Sequence, residues 1–332
     1  MRTRSWRIVC LTVILTAALI IPATTGIAAS KRIVFGDMSW DSARIHNRIV
    51  AAIIAEMGYE SEFMPGGTPI MVQSLMKGDI DVDMESWTQN VQELYARGIA
   101  EGTIIDLGPN FPDSWQGWLV PSFVIHGDAE RGIEPMAPEL RSVFDLPKYW
   151  KLFKDPEDPD KGRFYNAIAG WGVTELNEQK FAAYGLDETY NPFVSGSDAA
   201  LAGSMVAAYE KGNPWFGYYW GPTWVLGKLE MTPLEEPPYD PEVWEKTKAC
   251  AFPPVDVNIL VNHKLPERAP DVVELLKKYE TTMALNNEML VYMKDEGGRA
   301  EDAAEWFLKR HPEIWTQWVT PEIAEKVKAS LQ

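Results

Sequence analysis

From residue 31 the chain alternates short apolar runs with longer amphipathic ones, and that alternation limits its possible folds more than any other feature. KRIVFGD reads as a strand, and the stretch after it places Ile45, Ile49, Ile53 and Ile54 on one helical face. YESEFM is a second strand. In GGTPIMVQSLMKGD, Thr68 suits a helix cap, Pro69 the first turn and Gly78 the stop. IDVDME and then TQNVQELYARG repeat the strand–helix unit. The same rhythm returns in GRFYNAIAGW, TELNEQKFAAY up to Gly185, SDAALAGSMVAAYEK capped by Ser197, and NPWFGYYW. Strands that alternate with helices predict an α/β fold with largely parallel sheet.

Between the two units lie QGWLVPSFVI and the turn-rich DPEDPDKG, and after the second come EEPPYDPE and AFPPVDVNILVNHK. From about Pro266 the pattern is helical only. The economical arrangement joins the first unit to the last third of the chain: one lobe of residues 29–124 and 254–332, with 125–253 inserted as a second lobe and a cleft between them. Residues 1–28 read as a secretory signal peptide, with a basic start at MRTRSWR, an apolar run over 8–21 and a small-residue site at Gly26 and Ala28. An uncleaved N-terminal anchor is the other reading of that segment. A cleaved leader and a free mature chain point to export across the inner membrane, to a periplasm.

Charge and missing motifs remove several functions. Loss of the leader takes away Arg2, Arg4 and Arg7 and no acid, so the net charge goes from −17 to −20. Such a surface repels phosphate backbones, and nucleic acid is not an expected partner. Cys250 is the one cysteine after the leader, so no intramolecular disulfide is expected. Nucleophile-elbow, phosphate-loop, dinucleotide and zinc-protease signatures are missing, and His46, His126, His263 and His311 form no local metal pattern. No catalytic residue, metal or cofactor is expected. Paired carboxylates for glycoside hydrolysis remain open, because acids are plentiful and nothing selects a pair.

Tryptophan is over-used, with 14 in the chain. Trp40, Trp87, Trp171 and Trp220 each fall at or just beyond a strand end, where ligands bind in open α/β sheets. Trp150, Trp244, Trp306, Trp315 and Trp318 sit in helical or turn-like sequence and read as packing, and Trp224 as the anchor of a helix. Within PWFGYYWGPTW, period two sets Trp215, Gly217 and Tyr219 against Phe216, Tyr218 and Trp220, so one of Tyr218 and Tyr219 is expected to approach a ligand. Asp37, Asp41 and Asn90 read best as helix caps.

KGDIDVDMESW, AGWG, PWFGYYWGPTWV and CAFPPVDVNILVN, in that order, resemble the substrate-binding proteins of ABC importers for glycine betaine, choline and related quaternary amines. The resemblance implies a two-lobed, hinged binding protein with an interlobe aromatic cage, and an ABC permease with its ATPase as partner. Matched residue by residue, the cage rings are Trp87, Trp171 and Trp220; position adds Trp40. The chain departs from the family's pattern at Val91, where many betaine-binding members have histidine, and at Val173, where a cysteine can follow GWG. The backbone N–H groups of Gly172 and Val173 remain available to a carboxylate. Glu85, two residues before Trp87, is expected to share its strand face and favour a cation. The ligand class is therefore a small methylated amine: glycine betaine, choline, carnitine or trimethylamine N-oxide. Such a receptor is expected to be monomeric and not an enzyme. A sugar receptor with tryptophan platforms and an exported two-carboxylate glycosidase are the alternatives.

Overall fold

The computed structural model describes residues 31–332, so the leader lies outside the described residues. Among the described residues nine strands form: β1 (Arg32–Asp37), β2 (Glu60–Pro65), β3 (Val82–Ser86), β4 (Ile104–Pro121), β5 (Gly162–Asn166), β6 (Tyr190–Val194), β7 (Gly217–Gly221), β8 (Met231–Pro233) and β9 (Val255–Asn262). They hydrogen-bond in the order β2-β1-β3-β9-β4-β7-β5-β6, with β8 added to β4. The parallel units are present, with β1 parallel to β2 and β3 and β5 parallel to β6 and β7. The pairing as a whole is mixed rather than largely parallel, because β9 runs antiparallel to β3 and β4, and β4 antiparallel to β7 and β8.

β4 joins the two units. Its first part, Ile104 to Ser114, pairs antiparallel with β9, and Trp115–Leu119 pairs antiparallel with β7. QGWLVP, a connection by its sequence, is therefore strand that belongs to the second sheet. The result is an α/β chain with two sheets, one per lobe, that share a single long strand.

Local chemistry explains the elements that carry the site. Helix Asp41–Glu56 buries Ile45, Ile49 and Ile53 on the first sheet, and Asp41 places negative charge at its positive end. Helix Thr68–Lys77 stops at Gly78, whose φ of 85° is open to glycine without strain. From Leu265 onward the chain is helical, as the pattern predicts, and Phe307, Trp315 and Trp318 are buried with Phe35 and Ile49 in one core. Trp244 is also buried, on Phe252 at 5.6 Å between centroids.

The second lobe is packed by rings. Phe164 lies 4.7 Å from Trp118 and 5.0 Å from Phe216, and Tyr190 closes on Phe216 at 5.5 Å. Beside them Lys180 is fully buried, with its ammonium 2.6 Å from Glu236 and also donating to the Cys250 carbonyl. Burial pushes its pKa down while Glu236 opposes the shift. Lys180→Ala would strand the Glu236 carboxylate without its cation, and an expected loss of about 3–5 kcal/mol follows from breaking a buried pair. A denaturant titration checks this; a loss under about 1 kcal/mol would show that the pair behaves like a surface one.

Candidate functional site

Three loops beyond strand ends and the end of a fourth strand bring one indole each to a single cavity, about 280 Å³ with its open mouth included, lined by Trp40, Trp87, Trp171 and Trp220. Trp40 follows β1 and precedes helix Asp41–Glu56, and Trp87 follows β3. Trp171 lies beyond β5, which ends at Asn166, and N-caps helix Gly172–Ala183. Trp220 is still within β7. Trp171 packs edge-on against Trp40 at 5.2 Å and against Trp220 at 4.9 Å, so the rings hold one another at angles and their faces enclose a space.

Tyr218 shares the face of Trp220, as period two requires, and lines the cavity with it. Tyr219 points to the larger cleft on the far side of Trp220, which Asp41, Asp198 and Trp224 also line. Tyr218 donates to Gln116 Oε1 at 2.9 Å, and Gln116 exchanges amide hydrogen bonds with Asn90 at 3.0 and 3.3 Å. Gly172 and Val173 complete the wall where helix Gly172–Ala183 begins.

Glu85 is placed differently from the other expected residues. It is absent from the described lining and sits behind the rings, 1 % exposed. Its Oε1 accepts from the Trp40 indole at 2.7 Å, the Trp87 indole at 3.1 Å and the Ser42 hydroxyl at 3.1 Å. Strand alternation fails here because Trp87 has left the strand, with ψ of 76°, and its ring swings back over Glu85. Burial pushes the Glu85 pKa up to about 7, against the three hydrogen bonds that pull it down.

None of Asp37, Asp41 and Asn90, expected as helix caps, is an N-cap: Trp40, Trp87 and Val91 hold those positions, and the polar side chains bond elsewhere or sit inside the first turn. Asp37 accepts from Asn47 and pairs with Arg48, and Asn90 faces the cavity while bonded to Gln116. Asp41 sits in a first turn whose N-cap is Trp40. Thr68, 3 % exposed at a helix start, lines the cavity too. Its place after β2 is equivalent to that of Trp40 after β1, which is the signal that marks it in the sequence.

The two lobes meet through glycine. A Cβ on Gly67 would lie 2.0 Å from the Gly170 carbonyl oxygen, and one on Gly172 would lie 2.2 Å from the Asn90 carbonyl oxygen. Val91, at the position where the family can carry histidine, is buried beside Gly172. The Trp171 indole donates across the cleft to Ser39 at 2.9 Å. Among the described residues no group of three or more His, Cys, Asp or Glu side chains could hold a metal ion, and no helix is long and apolar enough to cross a membrane.

A family model described as the substrate binding domain of ABC-type glycine betaine transport systems matches residues 31–310. The chain belongs to this family. The receptor is 24 % identical over 292 residues to the trimethylamine N-oxide-binding protein of Pelagibacter ubique (strain HTCC1062), covering 87 % of this chain and 90 % of that one. In fold it is similar to the glycine betaine/L-proline-binding protein of Borrelia burgdorferi, with a TM-score of 0.73, 21 % identity, and 89 % and 99 % of the two chains covered. An ABC-transporter choline binding protein in complex with choline gives 0.72 at 19 % identity, covering 91 % and 99 %. Members of the family are substrate-binding receptors, and the two-lobed fold expected for this chain is that of these neighbours.

Proposed function

We propose that this chain is the extracytoplasmic receptor of an ABC importer and closes its lobes over one small quaternary or methylated amine held by Trp40, Trp87, Trp171 and Trp220. The observation that carries this reading is the convergence of four indoles, two from each sheet's strand ends, on one small cavity. A methylated ammonium has no N–H to donate, and aromatic faces attract its charge. At about 2 kcal/mol per desolvated ring, four rings give about 8, the scale of micromolar binding before ordering costs. Thr68, Asn90 and the Gly172 and Val173 amides are the polar groups at hand for a ligand hydroxyl, oxide or carboxylate.

We draw the lobe crossings within β4, upstream of the expected 124/125 boundary, and at residues 251–254 before β9, because β4 changes pairing partner between Ser114 and Trp115. Export to a periplasm and delivery to a permease with its ATPase complete the proposal. A sugar would ask for a more polar lining, and a two-carboxylate glycosidase for acids in it; the cage lining contains no carboxylate among its described residues.

Calorimetry against glycine betaine, choline, carnitine and trimethylamine N-oxide tests the reading. At least one is expected to bind with a Kd of about 10 μM or tighter, the scale set by the four rings. No heat with any of the four would sink it.

A further inference from the structure

Behind the cage lies a sealed polar cluster that the ring geometry alone does not require. Glu85 Oε1 is occupied by the two indoles and Ser42, while Glu85 Oε2 and His46 Nε2, both fully buried, have no hydrogen-bond partner and face each other at 4.0 Å. His46 is held from its other side by the Tyr279 hydroxyl, 2.7 Å from Nδ1. An unpartnered carboxylate oxygen in a dry site is costly, and a proton on Oε2 lowers that cost by removing the buried charge, since His46 at 4.0 Å is beyond hydrogen-bond reach. A cation in the cage changes the balance, because a negative charge one indole away then gains a partner.

We propose that Glu85 is a positioning residue whose ionisation is coupled to occupancy of the cage by a net cation, so that the receptor discriminates ligands by net charge. The inference rests on the cage reading above. When a cation enters, the Glu85 O–H bond breaks and the proton leaves to solvent; the carboxylate keeps its hold on Trp40 and Trp87. A zwitterion, with no net charge, drives little proton loss.

The surrounding groups fit this assignment. Burial sets the Glu85 pKa at about 7, where a modest field decides its state. His46 is pushed down to about 3 by burial and stays neutral, and burial holds the Tyr279 phenol well above its usual range. Asp83, on the same strand face, is raised to about 6 by burial, accepts from the Glu85 amide at 3.2 Å and repels the Glu85 charge. Asp41 and Asp198, also raised chiefly by burial, line the neighbouring cleft with Arg44 and Lys294.

The sign follows from a raised carboxyl pKa. Below it Glu85 is neutral and a cation must expel a proton; above it the charge is already present. Choline affinity is therefore expected to rise with pH by on the order of ten-fold or more between about pH 5.5 and 8.5, approaching ten-fold per unit on the acid side. Glycine betaine affinity should stay nearly flat.

The test is calorimetry of the full receptor with choline and with glycine betaine over that range, for the wild type, Glu85→Gln and Asp83→Asn. The Glu85→Gln variant keeps an oxygen for the two indoles and cannot ionise there, so its choline profile should be flat, with roughly ten-fold weaker binding at high pH and a smaller choline-to-betaine ratio. Asp83→Asn should keep the slope and move it to lower pH. A slope that survives Glu85→Gln assigns the proton to Asp83 or to the Asp41–Asp198 cleft and overturns the proposal. So does a flat wild-type choline profile, which leaves the cage reading standing; absence of binding by every amine overturns both. Should Glu85→Gln fail to fold, the wild type suffices. Its ligand-free tryptophan emission should titrate near neutral pH, and choline should shift that midpoint down and release protons measurable in two buffers. An unmoved midpoint with no proton release rejects the coupling.

Discussion

Gly172→Ala is expected to abolish most ligand affinity while leaving the protein as stable as before. The new Cβ would meet the Asn90 carbonyl oxygen at 2.2 Å and Val91 at 3.1 Å, and backbone cannot yield by that much without parting the lobes. Gly172 opens helix Gly172–Ala183, where alanine is a better helix former, so the second lobe itself should gain slightly. If the lobes cannot close, a ligand seated on one lobe loses the two rings of the other, about 4 kcal/mol at about 2 per ring. That corresponds to a weakening between roughly 100- and 1000-fold. Calorimetry beside a thermal melt reads both quantities. Wild-type affinity in this variant would show that ligand capture does not need the Asn90–Gly172 approach.

Trp171→Ala carries the other large effect. This indole lines the cavity, touches both Trp40 and Trp220 edge-on, and reaches Ser39 across the cleft. Its loss removes a cation–π face worth about 2 kcal/mol and two edge contacts of about 0.5–1.5 each. The expected weakening is at least about 100-fold, by the tenfold-per-1.4 kcal/mol rule. Trp171→Phe keeps a face without the Ser39 bond and should lose roughly ten-fold. Unchanged affinity in the alanine variant would remove Trp171 from the cage.

Much of this site is written plainly in the chain, for a physical reason. Ligands gather beyond strand ends in α/β sheets, so Trp40, Trp87, Trp171 and Trp220 reveal themselves by where the apolar runs stop. Period two likewise separates Tyr218 from Tyr219, which face different cavities. Periodicity loses its force where the chain leaves regular geometry. Trp87 lies one residue past β3, so alternation misplaces Glu85 as a ligand neighbour when it is the anchor of two indoles. Helix-capping propensity hides Thr68 and Asn90, because the same small polar residues serve caps and cavities alike. β4 is hidden by its own composition: two prolines and two glycines in GPNFPDSWQG disfavour a ladder, yet bulged pairing with β9 carries the strand through.

That strand has a mechanical consequence. Between Asp106 and Ser114 its register against β9 shifts three times, and the other passage between the proposed lobes contains Pro253 and Pro254, which lack the amide donors needed to extend the ladder beyond Val255. A kinked ribbon on one side and a stiff proline pair on the other leave few soft torsions through which the lobes can move. Such a joint is expected to bend about one principal axis rather than to act as a tether. The permease proposed as its partner would then meet two distinguishable shapes, loaded and unloaded, instead of a continuum of half-closed ones.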